Sequence, residues 1–102
     1  MPRHDKLVRD LIPDIIRASG RRAVTHTAGE AEYAARLHEK LTEEVQEYLA
    51  AESLEEMADL FEVIAAILEL KGWSFESVSA EQQRKRESRG GFSGRIVLEE
   101  TL

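Results

Sequence analysis

Two short stretches, EEVQE at 43–47 and EMAD at 56–59, place five carboxylates within seventeen positions. They sit in a longer run, 41–70, that holds nine of the chain's twenty acidic residues and no Lys or Arg. Within each stretch two acids stand three residues apart, Glu44 with Glu47 and Glu56 with Asp59, a spacing that puts both side chains on nearly one face of a helix. Carboxylates brought together repel, and each raises the pKa of its neighbours. A hard divalent cation reverses that interaction. An all-oxygen donor set suits Mg²⁺ or Mn²⁺, which leave coordination positions for water and phosphate. A di-iron carboxylate centre would need a His three residues after a Glu, and His4, His26 and His38 all lack one.

Whether four carboxylates can meet depends on the elements that carry them. From Glu30 to about Ala51, apolar residues recur at Ala34, Leu37, Leu41, Val45, Tyr48 and Leu49, the spacing of an amphipathic helix. From Ser53 as N-cap to Lys71 a second helix is expected, denser in apolar residues, stopped by Gly72 and the more buried of the two. So short a connection makes them an antiparallel hairpin. Positions equidistant from its turn have a constant sum, and both Glu47 with Glu56 and Glu44 with Asp59 total 103. The four acids can therefore form a quadrilateral across the groove, if the two faces oppose. The competing reading is a solvated Glu-rich surface in which SLEE at 53–56 is a capping box, which by itself accounts for Glu56.

Around the hairpin, a short helix is expected over about Pro13–Ser19 and a polar one over Phe75–Arg89, capped by Ser74 and broken at Gly90 and Gly91. Two β-branched runs, 21–28 and 94–100, are expected to pair as a small β ribbon. The fold class is thus all-α, in one domain spanning 1–102, with that ribbon as its addition. Net charge is −6 with −9 in the acidic run, leaving +3 on the flanks. That balance argues against a general nucleic-acid binder, which needs a basic stripe. Absence of Cys excludes disulfides, thiolate metal sites and cysteine nucleophiles. The charged N-terminal stretch lacks an apolar run long enough for a signal peptide or membrane span, so a cytoplasmic address is expected. A chain this short leaves apolar surface uncovered, and self-association, as a homodimer or higher homo-oligomer, is expected.

EEVQE followed by EMAD resembles the E-E-x-x-E and E-x-x-D pair of the MazG-like, all-α nucleoside triphosphate pyrophosphatase superfamily. KLVRDLIPDII (6–16) and RGGFSGRIVLEE (89–100) resemble the opening and closing segments of a small subgroup described as predicted house-cleaning pyrophosphatases for noncanonical nucleotides, related to phosphoribosyl-ATP pyrophosphohydrolases. The resemblance covers nearly the whole chain. It implies Mg²⁺ held by Glu44, Glu47, Glu56 and Asp59, with Glu43 holding a second metal or orienting the attacking water, and cleavage between the α and β phosphates of a nucleoside triphosphate. It also implies dimerisation. Cations for the phosphates are expected from the flanks, with Lys6, Arg9, Arg89 and Arg95 preferred because they belong to the flanking motifs; Arg84 and Arg86 fit a solvated helix face pairing with Glu81 at least as well. Trp73 and Phe92 are candidates to stack on a base, whereas Phe61 and Phe75 are expected in the core. The contending reading is a non-catalytic helical module whose acidic face binds a basic partner.

Overall fold

A computed structural model describes residues 5–102, so His4 lies outside the described residues. Among these residues the chain forms four helices: α1 (Ile12–Ala18), α2 (Glu30–Ala51), α3 (Leu54–Lys71) and α4 (Phe75–Arg89). Local chemistry explains the boundaries. Pro13 occupies the first turn of α1, where its missing N–H costs nothing. Ser53 Oγ accepts from the Glu56 N–H at 3.1 Å, and Ser74 Oγ from the Ser77 N–H at 3.0 Å, so α3 and α4 each begin with a side-chain cap. Gly72, at φ 72°, takes the left-handed conformation that closes α3 and that other residues adopt at a cost.

α2 and α3 fold back on each other as the hairpin that their short connection requires, and theirs is the extensive helix–helix contact among the described residues. Its core is small: Leu37 from α2 is 2% exposed and Val63 from α3 is 7% exposed. α3 is not the deeply buried helix that its apolar density suggested. Phe61 is 60% exposed on α3 and Phe75 70% exposed on α4, so neither is a core residue. The apolar density of α3 exceeds what one partner helix can cover, because α2 contacts a single face of it.

The expected ribbon is absent: no strand forms among the described residues. Val24 in the first run, and Ile96, Val97 and Leu98 in the second, are all exposed. β-branched residues favour a strand only when a neighbouring strand accepts their backbone hydrogen bonds, and here the two runs do not meet. The radius of gyration is 18.2 Å, against about 13 Å for a compact chain of this length, and the long axis extends 60 Å. The fold is an open helical arrangement built on one hairpin.

Candidate metal centre

The hairpin brings three of the four selected acids, Glu44, Glu56 and Asp59, into one group, and leaves Glu47 in a second group with Glu43 and Glu44. Carboxylate oxygens of Glu44, Glu56 and Asp59 lie within 4.8 Å of one another across the groove, and those of Glu43, Glu44 and Glu47 do so along α2. Glu44 belongs to both groups. It is 6% exposed, the one buried charged side chain among the described residues. Its Oε2 and the Oε2 of Glu56 are buried without a hydrogen-bond partner. Orphaned anionic oxygens in a packed seam are costly unless something cationic faces them. This all-oxygen donor set fits a hard dication. The capping-box account of Glu56 holds only in part: Ser53 caps the Glu56 amide, while Glu56 Oε2 stays unpaired in the groove.

Electrostatics set Glu43 apart from Glu44 and Glu56. Burial raises the pKa of Glu44 above the ordinary carboxylate value, and the neighbouring Glu47 raises it further; Lys40 opposes this. Glu56 is raised for the same reasons, burial first, then Glu47 and Asp59. Glu43 moves the other way, because the Lys6 ammonium donates to its Oε1 at 2.9 Å and Lys40 adds attraction. The Lys6 pKa is correspondingly raised by Glu43. Glu43 is thus held as a carboxylate, while Glu44 and Glu56 resist ionisation unless positive charge arrives.

Two of the expected phosphate-binding cations stand at this cluster. Lys6 pairs with Glu43 at 2.9 Å and Arg9 with Asp59 at 2.8 Å. A third was missed from sequence: Lys40 Nζ lies 3.6 Å from both Glu43 and Glu44, so the hairpin does supply a cation of its own. The signal was present in the spacing, since Lys40 precedes those acids by three and four residues, one position outside the Lys-free run. Arg89 and Arg95 form no ion pair with the cluster acids among the described residues. Arg89 ends α4, roughly 21 Å along the axis from Phe75. Arg84 pairs with Glu81, as a solvated helix face would. His26, for which sequence offered no partner, lies 2.9 Å from Glu32, which also receives Arg36. Trp73 and Phe92 are exposed, and neither adjoins the carboxylates in the pockets that the fold forms.

The chain is an all-α protein, and among its described residues no helix is long and apolar enough to cross a membrane. No known family matches it, and no solved structure does either. It is similar to an uncharacterized protein of Mycolicibacterium smegmatis, with 54% identity over 48 residues that cover 47% of this chain and 49% of that protein. The chain spans about half the length of the curated relative it matches.

Proposed function

We propose that this protein is a metal-dependent nucleoside triphosphate pyrophosphohydrolase of the MazG-like kind, releasing a nucleoside monophosphate and pyrophosphate. The observation that carries the reading is Glu44: a buried carboxylate, shared by two acidic groups, with an unpartnered oxygen. Glu44, Glu47, Glu56 and Asp59 are the residues that would hold Mg²⁺ or Mn²⁺. When bound, such an ion supplies neutralising charge, polarises phosphate oxygens and activates water. Glu43, kept ionised by Lys6 and Lys40, accepts a hydrogen bond from the attacking water and aligns it with the α phosphorus. Lys6 and Arg9 stand at the acidic rim, placed to exchange a carboxylate partner for a phosphate oxygen. The water oxygen bonds to the α phosphorus as the bond from that phosphorus to the α,β-bridging oxygen breaks; the water's proton passes to Glu43 and pyrophosphate leaves. No protein nucleophile is required, in keeping with a site made of carboxylates, lysines and an arginine.

The resemblance of the acidic motifs and both flanks supports this reading, extending it to noncanonical nucleotides and to a homodimer. The test is a screen for pyrophosphate release over ordinary and modified triphosphates with Mg²⁺. Activity with at least one substrate, lost in Glu44→Gln and Asp59→Asn, is expected. Release of inorganic phosphate instead would overturn the cleavage position. A second reading has its own observation: the carboxylates already accept Lys6 and Arg9, as they would the basic groups of a protein partner. Identical melting in Mg²⁺ and in chelator, with no turnover, favours that interaction module.

A further inference from the structure

Two apolar surfaces of this chain are open to solvent and do not meet. One is a groove of about 610 Å³ between α3 and α4, walled by Phe61, Ile64, Ala65, Leu68, Phe75 and Val78. The other is the C-terminal segment after α4, where Ile96, Val97 and Leu98 are 90%, 81% and 76% exposed. Three consecutive aliphatic side chains in an unpaired terminal segment are unfavourable in water unless another surface covers them. Their charges match as well. Arg95 precedes the triplet, and Glu62 stands in the lining of the groove.

We propose that the segment Gly94–Glu100 docks into the α3–α4 groove of a second copy of this chain. In an extended conformation Ile96 and Leu98 project to one side and enter the groove together. Arg95 then faces Glu62. A second copy, in preference to the chain's own groove, follows from the single chain itself, in which Ile96, Val97 and Leu98 stay exposed while the groove remains open. Reciprocal exchange of two tails closes at two copies, leaving neither a free tail nor a free groove. Docking at Glu62 also puts Arg95 of the second copy about 4.5 Å along the helix axis from Asp59, one turn away. This last consequence rests on the nucleotide reading: Arg95, which forms no ion pair with the cluster acids in one chain, becomes a phosphate-facing residue of the assembled pair.

The absence of native cysteine makes the test direct. Chains carrying Ala65→Cys alone and Leu98→Cys alone are mixed under mild oxidation, and the linked peptides are identified by mass spectrometry. A 65–98 disulfide between the two chains is expected. The same bond formed within one chain of the double variant, with none in the mixture, overturns the proposal in favour of docking onto the chain's own groove; no 65–98 bond in either case overturns it outright. The pair Ile96→Asp and Leu98→Asp should weaken dimerisation by roughly a hundredfold or more in sedimentation, with the helical circular dichroism retained. Undiminished dimerisation in that variant, or after removal of residues 92–102, also overturns it. None of these readouts uses metal or nucleotide, so tail docking and the enzymatic reading can fail separately.

Discussion

Glu44 is a residue whose ionised form the metal-free protein tolerates poorly. Burial and Glu47 outweigh the attraction of Lys40, so Glu44→Gln removes an unfavourable charge while keeping the volume. In chelator this variant should melt roughly 4–8 °C above the parent, the equivalent of about 1 kcal/mol, and it should lose the shift that Mg²⁺ produces. A lower midpoint in chelator would show that Lys40 dominates the site. The pH dependence has a definite sign. Glu44 and Glu56 have folded pKa values above their ordinary 4.5, so the native state binds more protons than the unfolded chain in that window. Their contribution is therefore most favourable below about pH 4.5 and is lost as pH rises through the folded values. Glu43, with its lowered pKa, contributes in the opposite sense: its stabilisation is present above about pH 4.5 and fades as pH falls through its folded value. Melting in chelator should accordingly decline as pH rises above the ordinary carboxylate value through the folded values of Glu44 and Glu56, and melting in Mg²⁺ should rise over the same range because binding requires ionised ligands. Parallel profiles in the two media would count against a cation at this site.

At the level of elements, the helices were legible because their ends are written in side chains. Ser53, Gly72 and Ser74 cap or close α3 and α4 where their types predict, and the three- and four-residue apolar spacing of α2 matches its span. Ser53→Ala should cost about 1 kcal/mol, read as a lower thermal midpoint, since α3 anchors the core. Ser74→Ala should instead reduce helical circular dichroism with little effect on the midpoint, because α4 packs so lightly. What stayed illegible depended on contacts between elements. The runs 21–28 and 94–100 carry strand-forming residues, but strand pairing is a property of two segments meeting, and these do not. Phe61 and Phe75 are core types by composition, yet the partner surface that would bury them is not supplied by this chain. At the site, the i to i+3 spacing and the hairpin register selected Glu44, Glu47, Glu56 and Asp59, of which Glu44, Glu56 and Asp59 lie together across the groove while Glu47 groups with Glu43 and Glu44 along α2. Spacing alone could not show that Glu44 would be the buried one, because Glu43 and Glu47 differ from it only in angle around the helix.

For the molecule as a whole, a cation that binds only the folded form adds its binding free energy to stability. At a Mg²⁺ or Mn²⁺ concentration a hundredfold above Kd, the gain should be about 2.7 kcal/mol, enough to raise the midpoint of a small domain by several degrees. Titration with either ion, monitored by melting, should follow this logarithmic dependence. A flat response across millimolar concentrations would remove the cation from the account. The extended 60 Å form and the thin core of Leu37 and Val63 leave a modest intrinsic margin, so such a shift should be conspicuous.

The joint between α2 and α3 is as short as a hairpin allows, with Glu52 in a left-handed conformation at φ 49°. Lengthening it by a single residue would turn the second rod by about 100° relative to the first, if the rod keeps its helical phase, and swing Glu56 and Asp59 away from Glu44. The meeting of Glu44 with Glu56 and Asp59 is therefore hostage to chain length in the joint between the helices. An alanine inserted after Glu52 should leave the circular dichroism of a helical protein and erase its response to magnesium.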